Sequence, residues 1–178
     1  YDLIVEDKKR RANAPAGSLP LGGPDSSSDT ISIREMLAGV KDADGKEHTV
    51  IAWIWVRTVK CPNPACGCEM PLTNSFILSK KPGNETYIEP LIKEGEIKYV
   101  VRQGKTLAEG TVKRSGAKCI CCGQPVGFSY IREEGKGNRL GKKMVAIVGL
   151  GNRKRVYISP IDQQVDIANS ANPINPPK

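Results

Sequence analysis

The six cysteines of this 178-residue chain fall into two short runs, and this clustering most constrains what the chain can fold into. The run at 61–68 reads Cys-Pro-Asn-Pro-Ala-Cys-Gly-Cys, and the run at 119–123 reads Cys-Ile-Cys-Cys-Gly. Each run contains a Cys-Gly step, and glycine lets a turn adopt positive φ and aim backbone N–H groups at thiolates. Two such turns can supply the four thiolates of a tetrahedral structural zinc site.

The spacing within each run selects a pair of candidate ligands. The second run pairs Cys119 with Cys122 in a Cys-x-x-Cys-Gly arrangement, and the first run has four residues between its matching cysteines. Spacings of two to four residues let one turn supply two zinc ligands. We therefore predict one structural zinc ion with a pair of ligands from each run: Cys61, Cys66, Cys119 and Cys122. Exchange with Cys68 or Cys121 stays open, because the choice of four from six rests on spacing.

The expected compartment decides between metal and disulfides. The sequence shows no secretion signal and no apolar run of the ~20 residues that a membrane helix needs, so we predict a cytoplasmic location and no membrane partner. A reducing compartment favours a metal over three disulfides or metal-free thiols. A redox Cys-x-x-Cys is disfavoured because no βαβ pattern surrounds it. The single histidine, His48, is expected at the surface or in the core, away from the metal.

Short apolar and alternating segments between turns predict a mainly β (β-rich α+β) fold, with antiparallel hairpins around a zinc ribbon and one or two short helices. The apolar segment that holds Trp53 and Trp55 is expected to be a buried strand. A helix is predicted within 29–39 and a polar loop at 132–141. Strands are predicted at 50–56, 74–78, 86–92, 97–102, 110–113, 125–131, 144–148 and 155–158, with turns at 42–45 and 148–152.

Composition divides the chain into three regions. Residues 1–29 are predicted to be a tail and flexible linker, because 13–29 are rich in Pro, Gly and Ser. Residues 30–160 are predicted to form the zinc-ribbon β domain, and 161–178 an extended C-terminal exit segment. The chain begins with Tyr1, so we expect it to be part of a longer protein.

The net charge of +8 favours a polyanionic partner. Between residues 130 and 155 there are eight Lys or Arg and two Glu, and nearby glycines would let the backbone approach phosphates closely. This stretch predicts a DNA-binding surface that includes Arg132, Lys136, Arg139, Lys142 and Lys143. A solvated loop between strands is the alternative interpretation. The sequence contains no Ser/His/Asp set, paired-carboxylate motif or phosphate loop, so we expect it to be non-catalytic.

Several segments together resemble one family. They are Ile-Ala-Trp-Ile-Trp-Val-Arg-Thr-Val at 51–59, Ser-Phe-Ile-Leu-Ser-Lys-Lys-Pro-Gly at 75–83, Tyr-Ile-Arg-Glu-Glu-Gly-Lys at 130–136 and Arg-Val-Tyr-Ile-Ser-Pro at 155–160. With the cysteine turns, and in this order, they make roughly residues 49–160 similar to the bacterial and archaeal adenine-specific DNA methylases that contain a zinc ribbon.

The resemblance implies a parent protein that uses S-adenosylmethionine to methylate the exocyclic amino group of adenine in DNA. The family's cofactor-binding glycine motif and its Asp/Asn-Pro-Pro-Tyr/Phe motif are not in this sequence: residues 175–178 read Asn-Pro-Pro-Lys. The resemblance therefore implies the ribbon-bearing inserted region, which positions DNA or braces the catalytic methyltransferase domain of the same chain. The alternatives are a free-standing zinc-ribbon nucleic-acid adaptor and a protein-interaction module.

Overall fold

The computed structural model describes residues 4–7, 39–93, 95–106, 109–152 and 154–170. The strands in these ranges are β1 (Ile4–Asp7), β2 (Val40–Lys41), β3 (Glu47–Lys60), β4 (Glu69–Leu72), β5 (Ile77–Ser79), β6 (Thr86–Lys93), β7 (Glu96–Gln103), β8 (Val112–Lys113), β9 (Gly116–Lys118), β10 (Pro125–Val126), β11 (Gly141–Leu150) and β12 (Arg155–Ile158). The helices are α1 (Phe128–Lys136) and α2 (Asp162–Ser170). Neighbouring strands pair antiparallel, which confirms the predicted mainly β fold.

Strand β3, 14 residues long, is the centre of the largest sheet. It pairs with β11 along residues 49–58, and β12 extends the sheet beyond β11. On the opposite edge β1 pairs with residues 52–55 and β4 with residues 57–60. Apolar clusters cover both faces of this strand, which explains why residues 50–56 are apolar without alternation.

Two bulges adjust how β3 and β11 present their side chains. The register leaves Val145 as an extra residue on β11 and Ile51 as an extra residue on β3. An extra residue reverses which face the following side chains reach. Consecutive residues such as Val145 and Ala146 therefore both belong to the same apolar cluster.

The large sheet separates two apolar clusters. Ala52, Ile54 and Val56 belong to the larger cluster, which also includes residues of the sheets β5–β6–β7 and β8–β9–β10, of α1 and of the cysteine runs. The smaller cluster lies beneath α2, with Ile167 as its buried contribution from that helix. Trp53 and Trp55 are both buried in the smaller cluster, which confirms the prediction that they pack in the core.

The strand predicted at 125–131 and the polar loop predicted at 132–141 are wrong in part. The strand ends at Val126, and α1 begins after Gly127, which is extended (φ −72°, ψ 153°). Helical geometry places Phe128 and Ile131 on one face, and Ile131 is fully buried. The apolar residues at 126, 128 and 131 fit a strand nearly as well as a helix, and the contact with the core decides in favour of the helix.

Helix α1 ends in a Schellman motif. Asn138 has a positive φ of 52°, the N–H of Arg139 donates to the carbonyl of Glu134 at 2.9 Å, and the N–H of Asn138 donates to the carbonyl of Gly135 at 3.2 Å. Asparagine tolerates this left-handed conformation better than most residues. The basic segment thus begins as a helix with a fixed end and continues into β11.

The prediction of an extended exit segment at 161–178 is wrong for residues 162–170, which form helix α2. Two features of the sequence favour a helix here: Asp162 lies in the first turn, and the apolar residues Ile161, Val165 and Ala168 follow helical spacing. The indole N–H of Trp53 also donates to Gln164 Oε1 at 3.1 Å, so the helix buries a polar contact as well.

Other expectations fall partly or wholly outside the described residues. These include the helix within 29–39 and most of the region 1–29, where β1 is the part that the structure describes. Residues 171–178 are also outside. No helix in the described ranges is long and apolar enough to cross a membrane.

The packing of α2 predicts the effect of shortening Ile167. Ile167→Ala should lower the free energy of unfolding by about 2 kcal/mol or more, because it removes buried methyl groups and leaves a cavity. Asp166→Ala, at an exposed position of the same helix, should change it by no more than about 0.5 kcal/mol. Urea unfolding of both variants measures the difference, and equal stabilities would contradict the packing of α2 on the sheet.

Candidate metal centre

The two cysteine runs form the tips of two hairpins with the same closing pattern. The first tip joins β3 to β4, and the second joins β9 to β10. The N–H of Cys61 donates to the carbonyl of Cys68, and the N–H of Cys119 donates to the carbonyl of Gln124, both at 2.9 Å. Cys61 is therefore equivalent to Cys119, and Cys68 to Gln124.

Glycine allows each tip to turn back toward its own strand. Gly67 and Gly123 have positive φ values of 57° and 76°, a conformation that L side chains rarely adopt. A Cβ built on Gly67 would lie 3.8 Å from Lys60 Cε, and one built on Gly123 would lie 3.8 Å from Lys118 Cε. Both tips thus place a lysine stem over the glycine, so the two turns match in more than their cysteines.

The hairpins bring the four predicted ligands together. The Sγ atoms of Cys61, Cys66, Cys119 and Cys122 all lie within 4.8 Å of one another. The Cys61–Cys122 distance is 3.7 Å and the Cys66–Cys119 distance is 3.9 Å. A tetrahedron with metal–sulfur bonds of ~2.3 Å has edges of ~3.8 Å, so these distances fit a tetrathiolate site. Each of these two short contacts joins a cysteine of the first hairpin to a cysteine of the second. The cluster could therefore hold a metal ion between the hairpins.

The two remaining cysteines lie beside this cluster. Cys68, Cys119 and Cys121 form a second group with all Sγ atoms within 4.8 Å, and Cys68 is 3.4 Å from Cys119. Cys119 therefore belongs to both groups. Spacing excludes Cys68 and Cys121 from the predicted ligands, but their closeness to Cys119 keeps exchange with them open as an alternative.

Burial opposes ionisation of several thiols. Burial, with a smaller effect from neighbouring thiols, raises the pKa of Cys61 to about 12. Burial also raises the pKa values of Cys68 and Cys121, whereas the backbone N–H of Cys68 lowers the pKa of Cys66. Because a metal binds thiolates, its uptake here must displace protons from thiols that otherwise keep them.

Helix α1 supports the first tip. The hydroxyl of Tyr130 donates to the carbonyl of Lys60 at 3.0 Å, one residue before Cys61. Ile131, on the next position of the helix, lies in the apolar cluster that also contains Cys61 and Cys119. Partial burial, with a smaller effect from the charge of Glu134, raises the pKa of Tyr130 above its usual value. The sequence prediction missed this support because it placed residues 125–131 in a strand.

Thr111 connects the hairpins without a metal. Its buried hydroxyl donates to the carbonyl of Pro71, at the end of the first hairpin, and accepts from the N–H of Thr73 at 3.1 Å. Its own carbonyl accepts from the N–H of Lys118 at 2.9 Å, one residue before Cys119. A Cβ on Gly110 would lie 2.1 Å from the carbonyl carbon of Asn74, so this crossing requires glycine.

The five residues predicted to bind DNA do not form a loop. Arg139 makes a two-point ion pair with Glu134, with Nε–Oε2 and Nη2–Oε1 distances of 3.0 Å. This contact lowers the pKa of the Glu134 carboxyl. Lys143 Nζ is 3.6 Å from Glu69 Oε2, and Lys142 Nζ is 4.7 Å from the centroid of the Trp55 ring.

Arg132 and Lys136 differ from these three residues. They are exposed and one turn apart on α1, so they lie on the same face of the helix. Of the five predicted residues, they are the two for which the described part of the structure shows no ion pair or ring contact.

His48 is a core residue and belongs to neither thiol group. Its side chain is buried, with Nε2 2.6 Å from Asp42 Oδ2 and Nδ1 3.3 Å from the carbonyl oxygen of Leu150. The hydrogen bond from His48 lowers the pKa of Asp42. This contact joins the turn after β2 to the end of β11, in agreement with a structural role for the histidine.

The role of Thr111 can be tested with a matched pair of variants. Thr111→Val should lower the free energy of unfolding by about 1–3 kcal/mol, because it leaves the buried carbonyl of Pro71 and the N–H of Thr73 without this partner. Thr58→Val is the control, since the fully buried Thr58 hydroxyl has no hydrogen-bond partner among the described residues, and it should be neutral or stabilising. Urea unfolding checks both, and equal losses would contradict the connection through Thr111.

Comparisons of the chain with known protein families, with curated proteins and with solved structures gave no match.

Proposed function

We propose that this chain is the zinc-ribbon accessory region of an S-adenosylmethionine-dependent, adenine-specific DNA methyltransferase. In this proposal it positions DNA or braces the catalytic domain, and it catalyses nothing itself. The observation that carries the proposal is the convergence of four thiols within 4.8 Å at the tips of two hairpins that are far apart in sequence. The link to the methyltransferase comes from the resemblance of residues 49–160 to that family.

The chemistry of the four thiols supports a structural zinc ion. Four sulfur ligands in a tetrahedral arrangement suit zinc, whereas the harder cations Mg²⁺ and Ca²⁺ prefer oxygen. Four thiolates leave no coordination position for water or substrate, so the ion would stabilise the fold without taking part in catalysis. It would tie the β3–β4 hairpin to the β9–β10 hairpin, alongside the hydrogen bonds of Thr111.

The charge distribution supports a nucleic-acid partner, and it favours two of the five predicted cations as the contact surface. The net charge of +8 favours association with a polyanion. Arg132 and Lys136 present two exposed cations on one face of α1. Because Tyr130 and Ile131 of the same helix contact the cysteine hairpin and the core, a phosphate contact on the outer face would have a rigid support.

The zinc proposal predicts a metal stoichiometry and a pattern of variants. The chain purified under reducing conditions should contain one zinc per molecule by elemental analysis, and the half-buried Cys121 should be the thiol that a thiol reagent reaches in the native state, because Cys68 is buried. Cys122→Ser should lose the zinc, and since Cys122 is exposed, the loss would not arise from disturbed core packing. Cys121→Ser should retain one zinc. Three disulfides, or a metal-free chain, would contradict the proposal, and iron would correct the identity of the metal.

The DNA-binding proposal predicts which cations matter. Changing both Arg132 and Lys136 to alanine should weaken binding to duplex DNA and reduce the slope of log affinity against log salt by about 1.8, since each lost phosphate contact contributes about 0.9. The control changes Lys80 and Lys81, two exposed lysines between β5 and β6, and removes the same charge. Fluorescence anisotropy at several salt concentrations gives both slopes.

Equal slopes for the two double variants would show non-specific attraction and count against α1 as the contact surface. If the wild-type chain does not bind DNA at any salt concentration, the bracing or protein-interaction role becomes the better proposal.

A further inference from the structure

We infer that Cys68, Cys119 and Cys121 form a second thiolate site, for one soft monovalent cation of the Cu(I) class, and that this site shares Cys119 with the first. The inference deepens the proposed function and rests on it, because the zinc ion would hold the two hairpin tips in the arrangement that the second site needs.

The positions of the two extra cysteines carry the inference. Cys68 closes the first tip, at the place where the second tip has Gln124. Cys121 lies inside the second tip, immediately before Cys122. The tetrathiolate set uses neither position, yet both sulfur atoms lie within 4.8 Å of Cys119 Sγ and of each other. The three ligands therefore come from both hairpins, as the first four do.

Thiolate chemistry allows Cys119 to serve both sites. A thiolate sulfur that bonds one metal ion keeps further lone pairs, so it can bridge to a second ion. Three thiolates satisfy Cu(I), which accepts trigonal coordination, whereas a structural zinc ion takes four ligands. No further His, Cys, Asp or Glu of the described residues completes this group of three. The ligand number and the softness of sulfur together favour Cu(I) over a second zinc.

Burial suits a soft cation with restricted access to water. Cys68 and Cys119 are buried, with 4% and 1% of their surface exposed, and Cys121 is half-buried. The ion would enter from the side of Cys121 and displace the thiol protons of Cys68 and Cys121 to solvent. The buried sulfurs would then shield Cu(I) from water on the opposite side.

The test is an anaerobic titration of the zinc-loaded chain with Cu(I) held by the chromogenic chelator bicinchoninate. Absorbance of the chelator complex reports copper transfer, and a zinc-responsive dye reports zinc release. We expect transfer of one Cu(I) per chain with the zinc retained. Cys121→Ser should retain zinc and lose the transfer, and Cys68→Ser should do the same if it folds. Gln124→Ser is the matched control, because it places a hydroxyl on an exposed position of the same tip, and it should behave as the wild type.

Two results would overturn the second site. One is Cu(I) transfer that is as large in Cys121→Ser as in the wild type. The other is release of one zinc for each Cu(I) taken up, since copper would then occupy the first site. Zinc content is measured before copper is added. A chain without zinc therefore overturns the proposed function, and a zinc-loaded chain that takes no copper overturns the second site alone.

Discussion

The meeting of two hairpin tips, with 52 residues between Cys66 of the first and Cys119 of the second, is the constraint on which the rest of the structure depends. Bringing two distant tips together costs chain entropy, although the cost rises only with the logarithm of the loop length. Three contacts offset it: the thiol cluster, the hydrogen bonds of Thr111, and the support of Lys60 by Tyr130. Two of these contacts need no metal. A metal ion would therefore stabilise a junction that the protein already defines, and the sheet β5–β6–β7 can fold within the intervening segment.

The first tip is positioned by β3, the long central strand of the large sheet. Strand β3 ends at Lys60, so the cysteine turn is a direct continuation of the strand on which both apolar clusters are built. At Ile51 and Val145 a bulge shifts the register of the β3–β11 pair by one residue. Each shift changes the face that the following side chains reach, and large side chains lie on both faces of the pair. Packing of this strand in the core holds the adjoining cysteines in place, and metal ligands need such fixed positions. The second tip, on the short strands β9 and β10, depends more on Thr111 and on the cysteines themselves.

The sequence predicts those parts of the structure that depend on local pattern. Residues 50–56 predict the central strand because both faces are apolar, and the Cys-Gly steps predict the two tips because positive φ favours glycine. Helix α1 could not be identified in this way, since the apolar residues 126, 128 and 131 fit either period and the decision comes from packing against the core. The role of Thr111 has no local signal at all. The partners of its hydroxyl are about 40 residues away, and only the fold brings this hydroxyl to the carbonyl of Pro71.

The sequence predicts more cations for contact with a nucleic acid than the structure leaves without a partner. Arg139, Lys142 and Lys143 each have a partner within the protein: a carboxylate, an indole ring and a second carboxylate. Freeing such a side chain for a phosphate would cost part of the contact that it already makes. A zinc ion bound by four thiolates would carry a net charge of −2, which the exposed lysines at the two tips, Lys60 and Lys118, would offset. Arg132 and Lys136, by contrast, have no ion pair or ring contact among the described residues. In the proposed function, DNA would therefore approach the outer face of α1, the helix that supports the first tip.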